Sequence, residues 1–276
     1  MREREPRNRI IVLIDFSTYS KSVVKLAEQL AQQLNAETVF LHELSSLASS
    51  FTADADTRSK LVREEEKEAL QQLKLLVKPY SFVKTEFKVG QQPILEMLNQ
   101  LRTGGYNNWL LLGLKGTGLL KQLFIGSTAL DIINQTDFLT IAVPVKEDIH
   151  LPQRLVVGVH PSYPLNEKQL YQLLENYNST PTELEFLSIV LPEDNKTAFQ
   201  TSLATYADKF KAYQPTIKLA EGKQAMDDLK TYMANQTDAF LVVQQGTRAL
   251  KDTLFRKYMI NDLVYGATVP LIILSQ

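Results

Sequence analysis

Four residues with the strongest chemical implication lie between positions 113 and 127. Gly113, Gly116, Gly126 and Ser127 form a G-x2-G-x9-G-S constellation directly after the apolar run at 109–112. A strand that breaks into a glycine loop, followed by small residues opening a helix, brings main-chain N–H groups close enough to hold phosphate oxygens. Glycines at 113 and 116 permit positive φ and close approach of the chain. Gly126, Ser127 and Thr128 would start a helix whose free N–H groups and hydroxyls meet an anion. Lys115 lies close enough to assist. A plainer reading of the same glycines is a turn and a helix cap. The segment is not a Walker A loop: Gly113 and Gly118 have the right separation, but Leu119 and Leu120 stand where Lys and Ser or Thr are required.

The elements that must position this loop alternate between strand and helix. The run at 9–15 is almost continuously apolar and β-branched and ends in Asp15, as suits a strand covered on both faces of a parallel sheet. Ser17 or Thr18 caps a helix whose apolar positions Val23, Leu26, Ala27, Leu30 and Leu34 recur at helical spacing, and Asn35 stops it. Strands are expected at 38–42, 85–89, 109–112 and 139–143, with helices at 59–77, 94–101 and 128–134. A polar stretch at 45–57 precedes the second helix. This order predicts an open, parallel α/β sheet flanked by helices. Ligands of such sheets collect beyond the carboxyl ends of the strands, where Asp15 and Gly113 both fall.

The pattern then repeats. Arg154 to His160 follows Arg9 to Asp15 at an offset of 145, while Leu254, Phe255 and Asp262 match Leu123, Phe124 and Asp131 at an offset of 131. The second copy is shorter, most simply through loss of much of the 45–57 loop. The expected organisation is a disordered terminus at 1–8, a first domain at 9–145, a charged, proline-bounded linker at 146–153 and a second domain at 154–276. Through these offsets Asp15 becomes His160, Gly113 becomes Gln244, Gly116 becomes Thr247, Gly126 becomes Lys257 and Ser127 becomes Tyr258. A Cβ at each former glycine and the bulk of Tyr258 would close the second site.

The G-x2-G-x9-G-S spacing, in the second half of a domain whose first strand ends in Asp, resembles the ATP-binding type of universal stress protein, here as two tandem copies. The resemblance implies two five-stranded Rossmann-like sheets. It also implies an adenine nucleotide, ATP with or without Mg and alternatively ADP or AMP, in the first domain. There Asp15 would meet the ribose, the main chain near Glu43 the adenine, and Gly113, Gly116, Gly126 and Ser127 the phosphates, with Lys115 and Thr128 beside them. The chain departs from the family pattern at Glu43, where an apolar residue is usual, and at Leu139, where a proline is usual. Pairing of the last strands, 139–143 with 271–274, is a further implication, with an additional homodimer and an unidentified protein partner left open.

Bulk composition bounds the remaining function classes. A formal charge of -1, from 30 basic and 31 acidic residues, gives no electrostatic case for nucleic acid or an anionic membrane. The absence of cysteine removes disulfides, thiol catalysis and cysteine-ligated metals, and fits a cytoplasmic protein. No apolar run approaches the ~18–20 residues that span a bilayer, and no signal-peptide pattern opens the chain. His42, His150 and His160 lack metal-ligand spacing, and no metal is expected. The 64–66 glutamates read as a solvated helix face and Trp109 as core. No catalytic residues are assigned. A ligand-responsive protein, a slow ATPase or autophosphorylating protein with Ser127 or Thr128 as acceptor, and a nucleotide-free interaction module are the competing functions.

Overall fold

The computed structural model describes residues 7–44, 54–102, 105–114, 132–176, 183–236, 238–245 and 269–275. By contacts the chain divides into two compact units, Met1–Gly113 and Leu114–Gln276.

In the first unit β1 (Arg7–Leu13), β2 (Glu37–Glu43), β3 (Lys84–Gly90) and β4 (Tyr106–Gly113) form a parallel sheet in the order β3-β2-β1-β4. β1 lies between β2 and β4, and the consecutive Ile10, Ile11 and Val12, which alternate between its two faces, are all fully buried, so its centre is covered on both. Helix α1 (Ser20–Leu34) packs on β1 and β4, α2 (Ala55–Val77) on β3 and α3 (Ile94–Leu101) on β2. Trp109 is buried, as its place in an apolar strand implies.

Local chemistry explains most of the boundaries. Asn35 ends α1 in the left-handed region at φ 46°, a conformation that Asn tolerates better than most residues. Neither Ser17 nor Thr18 is the cap of α1. Tyr19 occupies that position without a side-chain bond, and Ser17 instead accepts from the Ser20 N–H with its carbonyl, at 3.1 Å. Helix α2 begins four residues earlier than its apolar pattern indicates. The Asp54 carboxylate accepts from the N–H of Thr57 at 3.0 Å and of Asp56 at 3.4 Å, satisfying donors that would otherwise be orphaned. The strand β1 already starts at Arg7, inside the stretch read as a disordered terminus.

The second unit contains β5 (Leu139–Val143), β6 (Arg154–Gly158), α4 (Glu167–Asn176), β7 (Glu183–Val190), α5 (Lys196–Lys209), β8 (Thr216–Glu221), α6 (Ala225–Ala234), β9 (Ala239–Gln244) and β10 (Leu271–Leu274). Its sheet runs β5-β10-β9-β6-β7-β8. All neighbours are parallel except β5, which pairs antiparallel with β10 through Ile141 and Ile272. The order β8-β7-β6-β9 repeats β3-β2-β1-β4, and the register repeats with it. Arg9 faces Asn108 and Arg154 faces Ala239, the same 145 and 131 offsets that the sequence carries. The shortening of the second copy falls on the helix as well as the loop: α2 has 23 residues and its counterpart α5 has 14.

At the amino ends of the strands each unit carries a part-buried Arg–Glu–Tyr cluster. In the first, the Glu37 carboxylate meets Lys84 at 3.0 Å, Tyr106 Oη at 3.1 Å and Arg7 at 3.2 Å. The Lys84 hydrogen bond, more than the charges around it, lowers the pKa of Glu37. Arg9 lies 4.2 Å over the Tyr106 ring and donates to Asn108 at 2.8 Å and to the Leu101 carbonyl; burial lowers its pKa. In the second, Tyr232 donates to the buried Glu185 at 2.5 Å and Arg154 bonds Glu183 at 2.6 Å.

Candidate functional site

Of the eight residues singled out from sequence, the structure describes Asp15, Glu43 and Gly113. Lys115, Gly116, Gly126, Ser127 and Thr128 lie outside the described residues, as do Thr247, Lys257 and Tyr258.

Asp15 follows β1 at the carboxyl edge of the sheet and is exposed. Its Oδ1 accepts from the Ser17 N–H at 3.0 Å and from Ser20 Oγ at 3.4 Å, an Asx turn that leads the chain into α1. Oδ2 has no partner among the described residues. The carboxylate therefore keeps acceptor capacity for a hydroxyl or a hydrated cation. It also raises the pKa of the Tyr19 phenol, although burial of that ring is the larger cause.

Gly113 ends β4, two strand positions beyond the fully buried Leu111. It is not in the left-handed region; among the described glycines only Gly105, at φ 67°, is. What its missing side chain permits is packing. A Cβ there would lie 2.8 Å from Tyr19 Cβ and 3.3 Å from Tyr19 Cγ, closer than carbon atoms approach, so α1 could not sit where it does against β4. The positive φ expected at this position is not present, and the close approach is to the protein's own helix.

Glu43 ends β2 with its side chain engaged elsewhere. Its Oε2 accepts from the Ile94 N–H at 2.9 Å, which caps α3, a helix that opens at Pro93 without a side-chain cap of its own. Any contact from position 43 to a base would thus be made by main chain. The reason for a glutamate at this departure from the family pattern is helix capping.

Two residues that sequence reasoning left aside stand beside Asp15. Phe16 has φ 55°, strained for an aromatic residue, and its ring lies 4.5 Å from that of His42. His42 Nδ1 lies 2.7 Å from the Ile14 carbonyl, to which it donates. The signal in sequence was weak: an aromatic residue after the strand-ending Asp, and a lone histidine near the end of the next strand.

The matching strand ends of the second unit are closed by side chains. Gln244 Oε1 accepts from the Asn166 N–H at 2.6 Å, while Nε2 donates to the Ser275 carbonyl at 2.9 Å, to Gln245 at 3.2 Å and to Leu274 at 3.3 Å. Asn166 adds a bond to the Ser275 carbonyl at 3.0 Å, and Gln169 brackets Ser275 through its N–H and hydroxyl at 2.7 Å each. His160 accepts from the Ser162 N–H at 3.2 Å and stacks on Tyr163 at 4.6 Å, with Phe199 edge-on at 5.0 Å. Every polar atom of the Gln244 amide is used inside the fold.

A model of the universal stress protein family matches residues 6–144, and the chain belongs to that family. Its fold is that of solved structures over its whole length. A universal stress protein from Archaeoglobus fulgidus DSM 4304 superposes with a TM-score of 0.72 at 14% identity, covering 98% of both chains. A functionally unknown protein from Pseudomonas aeruginosa PAO1 gives 0.66 at 10% identity over 98% of this chain and 92% of that one. The cytoplasmic domain of a prokaryotic cation chloride cotransporter gives 0.52 at 9% identity over 97% and 95%. No curated protein matches the chain at a significant level. Among the described residues no group of three potential metal ligands converges, and no helix is long and apolar enough to cross a membrane.

Proposed function

We propose that the chain binds an adenine nucleotide, ATP foremost, at the carboxyl strand ends of its first unit, and that the nucleotide acts as a regulatory ligand with little or no turnover. The observation that carries this reading is the exposed Asp15 carboxylate, whose Oδ2 has no partner among the described residues, beside a strand end whose continuation holds the Gly116, Gly126 and Ser127 spacing. In the second unit the position of Asp15 is held by His160, which stacks on Tyr163, and that of Gly113 by Gln244, whose amide is engaged with Asn166 and Ser275. Asp15 fits a ribose, since a carboxylate accepts from vicinal hydroxyls; Lys115 and Thr128 would accompany the phosphates. A ligand that binds one conformation stabilises it by mass action, so occupancy can be read by a partner without hydrolysis.

Isothermal titration with MgATP tests the reading. One site per chain is expected, with Asp15→Ala weakening binding by about tenfold, the loss of one charge-assisted hydrogen bond. Gly126→Val should abolish it. No heat at millimolar ligand, or two equivalent sites, would overturn it. Recovery of labelled product or labelled protein from radioactive ATP would replace the ligand role with an enzymatic one.

A further inference from the structure

The outer side of β3 in the first unit carries a feature that the nucleotide reading does not use. Strand β3 is the last strand of its sheet among the described residues, with β2 on one side only. In the parallel register Gly90 pairs with Glu43 and its carbonyl accepts from Leu44 at 2.9 Å, so Lys84, Glu86, Lys88 and Gly90 turn their main-chain groups toward β2. Thr85, Phe87 and Val89, the alternate positions, turn theirs outward.

Two open clefts lie along this edge, of about 750 and 780 Å3, and they share Lys67, Leu70 and Phe87. Together they make a trough bounded by β3 and by α2 from Arg63 to Lys78, roughly 22 Å at the helical rise. Its apolar lining includes Leu70, Leu75, Phe82, Phe87, Val89 and Met97. Leu75 is 59% exposed and Val83, next to Phe82, is 63% exposed; these are two of the four large apolar side chains most open to solvent among the described residues. Such a patch with a polar rim is the usual mark of an interaction surface. The rim is mostly positive: Arg63, Lys67, Lys74 and Lys78 line the trough against the Glu66 carboxylate, with Lys88 paired to Glu86 at 3.3 Å. The chain as a whole carries a net charge of -1, so this charge is local.

We infer that the trough receives an extended acidic segment of a partner protein, which adds a strand to the free edge of β3. Main-chain bonds to Thr85, Phe87 and Val89 supply affinity, alternate apolar side chains settle on Leu70 and Phe87, and the intervening carboxylates meet the α2 lysines. The openness and length of the trough favour a strand over a compact ligand, whose site would enclose most of its surface.

A fluorescein-labelled octapeptide of alternating Glu and Val, titrated with the full chain and read by anisotropy, is the test. Saturable binding is expected, and an alternating Lys and Val peptide should not bind. The double substitution Lys74→Glu, Lys78→Glu should weaken binding by at least about tenfold, since reversing two rim charges turns attraction into repulsion. Val89→Pro, which removes an outward N–H, should weaken it similarly with unchanged circular dichroism. Should that variant unfold, the Glu and Val peptide N-methylated at alternate residues makes the same point on the wild-type chain by failing to bind. Equal binding of both peptides, no saturation by about 1 mM protein, or undiminished binding of the N-methylated peptide would overturn the proposal, as would displacement of the acidic peptide by dodecanoate alone.

Discussion

The carboxyl strand ends of the two units start from the same topology and register but differ in what fills them. In the first, Asp15 Oδ2 has no partner among the described residues and Gly113 has no side chain to place. In the second, His160 is stacked on Tyr163 with Phe199 edge-on, and the Gln244 amide is spent on Asn166, Gln245, Leu274 and Ser275. A repeat can thus retain its strand order and register while the described side chains at its carboxyl strand ends turn to one another through polar bonds.

The sharpest way to break this comparison is to give the first unit a side chain at its glycine. Gly113→Val should lower the unfolding free energy by about 3 kcal/mol in urea titration, because its Cβ meets Tyr19 at 2.8 Å and overpacking of this kind is costly. A change below half that size would mean that α1 shifts freely and that Gly113 is not a packing residue. Next in size is Gln244→Ala, which strips partners from the Asn166 N–H and the Ser275 carbonyl and should cost about 2 kcal/mol. The same variant should gain no second nucleotide site, since opening the amide does not create a carboxylate at position 160. Glu43→Ala removes only a distant helix cap and is expected to cost about 1 kcal/mol, measured by the same denaturation.

The smallest effects distinguish the amino ends of the two sheets through pH. Glu37 has its pKa lowered, chiefly by Lys84, so the stability it contributes is complete above the ordinary carboxylate value and is lost as pH falls. The advantage of the wild type over Glu37→Gln should shrink below about pH 4. Tyr232 is pushed up to about 12, by burial first and then by the Glu185 hydrogen bond and charge. The folded chain keeps a proton that the unfolded chain gives up near pH 10, so this contribution is complete below about pH 10 and is lost as pH rises through the folded value. The gap between wild type and Tyr232→Phe in thermal midpoint should therefore close on the alkaline side, opposite to the Glu37 pair.

Much of the fold was legible because burial on both faces writes a strand as a run of apolar residues. The stretches at 9–15, 109–112, 139–143 and 271–274 all became strands. Helix starts were less legible, since caps depend on which carboxylate or carbonyl happens to be near: Asp54 extended α2 and Tyr19 displaced Ser17 and Thr18. The site divided along the same line. Asp15 could be placed at a strand end from pattern alone, but the partner of Glu43 is 51 residues away and the neighbour of Gly113 is 94 residues away.

What the amino-acid order determined by itself is the family, the parallel α/β architecture and the repeat with its offsets, because these rest on local periodicity and on residue types at fixed spacing. Only the tertiary structure decided what each conspicuous residue is for. Gly113 admits a helix, Glu43 caps another, and Gln244 ties the ends of β9 and β10 to the residue before α4. Such roles arise from contacts between segments far apart in sequence, and no window along the chain contains them.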